Sequence, residues 1–109
     1  MSRPIYRYGI PYAKRTRYYL SLINHPEQDQ QLDQYQLALV QTMRSKLTKR
    51  ELQCLTLYYV KGRPMQAAAN ELGINISTMS RITQRGSDKL DGILRLAEKI
   101  SPLRPPQSA

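Results

Sequence analysis

The side chains best suited to chemistry lie in one short stretch of the sequence, and they are suited to contacting nucleic acid bases. The guanidinium of Arg81 can donate two parallel hydrogen bonds to O6 and N7 of guanine. The amide of Gln84 matches the edge of adenine, and Ile76 offers an apolar contact to the methyl group of thymine. Ser77 and Ser80 are short hydrogen-bond donors nearby. We predict base contacts by these five residues.

A second group of polar side chains is suited to binding phosphate. Lysine, arginine and hydroxyl side chains bind phosphate oxygens, which positions a protein on nucleic acid without reading its sequence. For each of these cations the alternative is a solvated charge without a ligand, and we expect that outcome for about half of them. The predicted phosphate contacts are Thr78, Arg85, Lys89, Lys49, Arg50, Lys61 and Arg63.

The sequence contains no set of residues typical of catalysis or of a bound metal or cofactor. It has one cysteine and one histidine, which cannot form an internal disulfide or a Cys/His zinc cluster. Glu27, Asp29 and Asp33 fall near a predicted helix start, where carboxylates favour the helix dipole. We interpret His25 as a linker residue and Cys54 as a small packed hydrophobe. We therefore predict neither enzymatic activity nor a cofactor.

Residues 65–84 have the pattern of two short helices joined by a turn, and this pattern would position Arg81. Gly73 supplies the left-handed backbone conformation that ends the first helix. Ala69, four residues earlier, is small enough to let the two helices cross closely. Apolar residues recur on the faces predicted to point inward, namely Ala68, Leu72, Ile74, Met79 and Ile82. Together these features predict a helix-turn-helix.

Two amphipathic helices are predicted before this motif. The first spans residues 28–47, because apolar residues recur there at spacings of three and four: Leu32, Tyr35, Leu39 and Met43. The second begins at a capping box formed by Thr48 and Glu51 and runs to about Lys61. Its predicted inward face comprises Leu52, Leu55 and Tyr59, with Cys54 or Tyr58.

Helix signals on both sides of the turn complete the fold prediction. Pro64 opens the first helix of the motif, and Asn75 caps a recognition helix of about 76–90 that continues towards Ile100. Gly86 inside it costs roughly 1 kcal/mol relative to alanine, so we expect it to mark a close contact with the 48–61 helix in preference to a DNA backbone. The predicted fold is all-α: a helix-turn-helix bundle of four main helices over residues 27–100. A flexible basic arm (1–26) precedes it, in which Pro4 and Pro11 argue against one continuous helix but allow a short one from Tyr12 to Ile23. A disordered tail (101–109) follows.

The charge of the chain indicates a polyanionic partner. Its net charge is +9 and its pI is about 10.0. Five cations precede the first acid: Arg3, Arg7, Lys14, Arg15 and Arg17. Two interpretations of this arm stay open with equal weight. In one its tyrosines pack back on the domain, and in the other it lies along phosphates or a protein partner. Because no membrane span or secretory signal is visible, we expect a cytoplasmic protein.

Residues 47–90 resemble the fourth conserved region of bacterial sigma factors, a helical domain that recognises the −35 promoter element. The resemblance is carried by the Leu47–Thr48–x–x–Glu51 opening, Leu57–Tyr58–Tyr59, Gly62, Leu72–Gly73–Ile74, Ser77 to Ile82, and Arg85–Gly86 with Lys89–Leu90. Response-regulator output domains share much of this pattern. Ala67 and Ala68 depart from it, since the family usually has glutamate and a large aliphatic residue there. Nothing in residues 1–46 resembles the polymerase-gripping second region, so we expect a stand-alone domain.

The resemblance implies a sequence-specific transcription regulator that binds double-stranded DNA and also contacts RNA polymerase through the 28–47 helix and the arm. The alternative is a DNA-binding accessory protein of a recombination or conjugative-transfer system. A third hypothesis, an interaction module without DNA binding, is opposed by Arg81 and the net charge of +9. The DNA target, activation against repression, and monomer against dimer stay open.

Overall fold

The computed structural model describes residues 10–100, and every regular element in that range is helical, as predicted. None of these helices is both long enough and apolar enough to cross a membrane. In chain order they are α1 (Ile10–Ile23), a 3-10 turn (Pro26–Gln31), α2 (Gln34–Lys46), α3 (Lys49–Leu55) with a π-helical extension (Thr56–Val60), α4 (Met65–Leu72) and α5 (Ile76–Ile100).

The helices enclose two apolar clusters that share the long α5. The larger cluster joins α1, α2, the α3 segment and the second half of α5; its buried members include Leu20, Val40, Met43, Leu55 and Leu90. The smaller cluster is the core of the helix-turn-helix and contains Cys54, Leu57, Met65, Ala68, Ala69 and Met79. The larger cluster packs against the second half of α5, and the smaller cluster packs against its first half.

Helix α1 corrects the predicted arm, because residues from Ile10 onward are a helix that packs into the main core. Tyr19, Leu20 and Ile23 are buried there, which agrees with the interpretation that tyrosines pack back on the domain. Lys14 and Arg17 remain exposed. Pairs of apolar residues four apart outweigh the many charges of this segment. Residues 1–9 and the predicted tail 101–109 lie outside the described residues.

The predicted 28–47 helix is also corrected, because it is interrupted at Asp33. That residue is extended (φ −74°, ψ 172°) and caps α2: its Oδ1 accepts a hydrogen bond of 2.8 Å from the backbone N–H of Gln36. The side chain of Gln36 returns a bond to the N–H of Asp33. Before this break, Pro26 opens a separate 3-10 turn. Arg44 ties the turn to α2 through two bonds of 2.7 and 3.0 Å to the carboxylate of Asp29.

The helix after Thr48 starts as predicted but changes its winding near the middle. The Thr48 hydroxyl and the Glu51 carboxylate form the expected capping box. From Thr56 the backbone becomes π-helical, and the N–H of Lys61 bonds to the carbonyl of Thr56, five residues back. Leu57 is buried in the helix-turn-helix core, although the predicted inward face of this helix leaves it out.

Candidate nucleic-acid interface

The turn between α4 and α5 is fixed by one left-handed glycine. Gly73 has φ 68° and ψ 34°. Its N–H bonds to Asn70 O at 3.1 Å, and the N–H of Ile74 bonds to Ala69 O at 3.0 Å. These two bonds are the Schellman pattern, which satisfies the last carbonyls of α4. Ala69 is fully buried in the helix-turn-helix core, as its methyl-sized side chain predicts.

Helix α5 starts at Asn75, whose side-chain Oδ1 accepts a 2.8 Å hydrogen bond from the N–H of Ser77. Its buried side is a stripe that includes Met79, Thr83, Ser87 and Leu90. Arg81 is half a turn from this stripe and therefore points away from the core. Its side chain is exposed and forms no hydrogen bond or ion pair with any residue between 10 and 100.

The other predicted base contacts have less freedom than Arg81. Ile76 is half-buried against the helix-turn-helix core, and Ser80 is also half-buried. Ser77 is exposed, but its hydroxyl donates to Asn75 Oδ1 at 2.7 Å. The amide nitrogen of Gln84 donates to Asp88 Oδ1 at 3.1 Å.

This bond uses one of the two N–H donors of the Gln84 amide and holds the side chain towards Asp88. The predicted phosphate contact Thr78 is half-buried.

Two of the predicted phosphate contacts meet one buried carboxylate. Arg85 Nε lies 2.8 Å from Glu51 Oε2, and Lys89 Nζ lies 2.9 Å from Glu51 Oε1. The Glu51 side chain is 1% exposed. Burial by itself raises the pKa of a carboxyl group. For Glu51 this is outweighed by hydrogen bonds from the Thr48 backbone and from the two cations, which lower the pKa from 4.5 to about 2.

Gly86 lets α3 come close enough to α5 for these ion pairs. A Cβ on Gly86 would lie 2.9 Å from Cδ1 of Leu55, which is closer than carbon atoms approach in proteins. This confirms the expected contact with the 48–61 helix. Because Glu51 is one turn before Leu55 on the same face, its carboxylate comes within reach of both Arg85 and Lys89.

The remaining predicted phosphate contacts lie in two places along the chain, at the start of α3 and just before α4. Lys49 and Arg50 are exposed at the start of α3, next to the Glu51 cluster. Lys61 and Arg63 are exposed in the connection to α4, where Arg63 Nε pairs with Glu71 Oε1 at 3.2 Å. Lys49, Arg50 and Lys61 have no ion-pair partner within the described range.

Comparison with protein-family models matches residues 45–91 to "Sigma-70, region 4". Residues 45–91 are a sigma-70 region 4 domain. The match runs from the end of α2 to Asp91 in α5 and so contains the helix-turn-helix and the Glu51 cluster. No characterised protein and no solved structure matches the chain in the corresponding searches. The family is a DNA-binding, non-catalytic one, and the match implies binding at the promoter −35 element.

Within the region 4 domain, three acids contact predicted DNA-binding side chains, and sequence reasoning found none of these contacts: Glu51, Glu71 and Asp88. The sequence analysis assigns Glu51 only to its capping box. A local signal was available for Asp88, which is one turn after Gln84, whereas Glu51 is 34 and 38 positions from Arg85 and Lys89. Among residues 10–100, no group of His, Cys, Asp and Glu side chains is arranged to hold a metal ion.

Proposed function

We propose that this protein is a sequence-specific regulator of transcription that inserts the first half of α5 into the DNA major groove. The observation that carries the proposal is the presentation of Arg81. This arginine is exposed and unpaired within the described chain, on a helix whose direction is set by the Gly73 turn and the buried Met79. A recognition helix contacts bases with the residues of its first turns, where Arg81 lies. The net charge of +9 favours DNA at long range.

The proposed contacts differ in the intramolecular bonds and the burial of their side chains. Arg81 is the proposed guanine contact, because it would lose no intramolecular bond on binding. Ser77 is proposed as a contact that exchanges its bond to Asn75 for one to DNA, Gln84 as a contact whose side chain also bonds to Asp88, and the half-buried Ile76 and Ser80 as contacts at the edge. The proposed phosphate contacts are Thr78, Arg85, Lys89, Lys49, Arg50, Lys61 and Arg63.

Selection from random DNA duplexes is the direct test of this function. We expect the full chain to enrich one asymmetric site containing at least one essential G·C pair, because a single Arg81 is presented to the groove. Enrichment of a palindrome would instead require a dimer. Failure to enrich any sequence, together with binding that does not depend on salt, would contradict the proposal.

RNA polymerase is the second proposed partner, in keeping with the role of region 4 in transcription. An open apolar groove of about 600 Å³ separates α2 from the second half of α5, away from Arg81. Leu96 lies in this groove and is 59% exposed, and a contiguous apolar surface of this kind is typical of an interaction site. Leu96→Gln should weaken co-purification with core polymerase and leave DNA binding unchanged.

Val60→Gln is the matched control, since Val60 is exposed but lies outside the groove. If Leu96→Gln and Val60→Gln weakened co-purification with core polymerase equally, the groove would not be the polymerase contact. Co-purification with the polymerase also separates a regulator from an accessory protein of recombination or transfer, which would share the same DNA interface. A cytoplasmic location follows from both proposed partners and stands or falls with them.

A further inference from the structure

The two cations bound by Glu51 are held in different ways. The ammonium of Lys89 bonds to Glu51 Oε1 at 2.9 Å and to the carbonyl of Lys46 at 3.2 Å, and its side chain is 36% exposed. Arg85 bonds to Glu51 only through Nε, at 2.8 Å, and its side chain is 59% exposed. The ammonium is therefore largely occupied, whereas the guanidinium is anchored by one edge.

The free edge of Arg85 faces away from the carboxylate. A guanidinium has five N–H donors, and Nε carries one of them. The terminal nitrogens of Arg85 carry the other four and make no hydrogen bond within residues 10–100. A planar guanidinium held at Nε keeps its terminal N–H groups in a fixed fork, which matches two oxygens of a phosphate.

We infer that Glu51 is a positioning residue that fixes Arg85 for a DNA phosphate, while Lys89 serves as an internal counter-ion that balances the buried carboxylate. This inference rests on the proposed function. It removes Lys89 from the phosphate contacts and gives Arg85 a defined direction before DNA arrives. Side chains that are ordered in advance lose less conformational entropy when they bind. The Glu51 carboxylate is itself held in place by the capping box of α3, because it also accepts a hydrogen bond from the N–H of Thr48.

Glu51 could have the opposite role, as a competitor of phosphate for Arg85, and the two roles predict different results. If Glu51 merely neutralised Arg85, its carboxylate would compete with phosphate, and its removal would make Arg85 more important for DNA binding. If Glu51 positions Arg85, its removal makes Arg85 less important. The sign of the coupling between the two residues therefore decides between positioning and competition.

The experiment is a double-mutant cycle with the full chain and a mixed-sequence duplex of about thirty base pairs, followed by fluorescence anisotropy at several salt concentrations. Arg85→Ala should lower affinity about 5- to 10-fold and reduce the salt slope by about one. In the Glu51→Gln background the same substitution should lower affinity less than about 2-fold. An equal or larger loss in that background would overturn the inference. Circular dichroism verifies that each variant is folded.

Arg85→Lys tests the same idea without altering the buried carboxylate. Lysine keeps the charge but lacks the planar fork that can offer parallel N–H donors to a phosphate while Nε stays on Glu51. We expect several-fold weaker binding than the unsubstituted protein, and equal binding would overturn the inference. If the unsubstituted protein binds no duplex, the proposed function itself fails. If it binds but Arg85→Lys is silent, only the positioning role fails.

Discussion

Replacing Gly86 with alanine tests the close approach of α3 and α5 on which the interface is built. The new Cβ would lie 2.9 Å from Cδ1 and 3.2 Å from Cγ of Leu55, and 3.4 Å from Cβ of Glu51. Leu55 is fully buried in the core, so it must shift against packed neighbours to admit the new methyl group. Overpacking of this kind costs about 1–3 kcal/mol. The gain in helix propensity returns about 1 kcal/mol, so we expect a net loss of about 1 kcal/mol.

Gly92→Ala is the matched control for this substitution. Gly92 lies in the same helix, and a Cβ there would meet no atom within 4 Å. We expect it to raise the free energy of unfolding by about 0.5–1 kcal/mol, since only the propensity gain applies. Denaturant unfolding followed by circular dichroism measures both values, with an unchanged m-value indicating a two-state comparison. If Gly86→Ala stabilised the protein as much as Gly92→Ala does, the close approach would be refuted.

Three further predictions concern the carboxylate, the turn and the salt dependence. Because the pKa of Glu51 is about 2 when folded and 4.5 ordinarily, its ion pairs stabilise fully above pH 4.5. This contribution of up to about 3 kcal/mol is lost as the pH falls towards 2, and Glu51→Gln should lack that part of the pH dependence of unfolding. Gly73→Ala should destabilise the protein by about 1–2 kcal/mol, whereas Gly73→Asn should cost less because asparagine tolerates the left-handed conformation; equal losses would argue against a backbone cause. With about 5–7 phosphates neutralised, log affinity for DNA should fall against log salt with a slope of roughly −4 to −6, and a slope near zero would exclude a phosphate-dominated interface.

The features that sequence predicted correctly are those decided by neighbouring residues. The Thr48–Glu51 capping box, the Gly73 turn and the Asn75 cap each depend on bonds within a few positions. The inward position of Met79 follows from helical periodicity. Gly86 was predicted correctly because a glycine inside a helix needs a compensating contact.

The features that sequence reasoning missed depend on contacts between distant segments. The segment of α1 keeps two interpretations open at the level of sequence because its charges are local, whereas the core that buries Leu20 comes from other helices. The π-helical segment that begins at Thr56 rotates the following apolar residues relative to those before it, and no residue pattern in the sequence predicts this change. The Glu51 cluster joins residues 34 and 38 positions apart. Such pairs become visible only when the packing of α3 on α5 is known.

Arg81→Ala, measured on the selected site and on a scrambled duplex, tests the central claim most directly. We expect a loss of about 1–3 kcal/mol on the selected site and little change on the scrambled duplex, because a base contact supplies specificity. Arg50→Ala, at a proposed phosphate contact, should weaken both duplexes alike. An equal loss on both duplexes for Arg81→Ala, or no loss on either, would contradict the account.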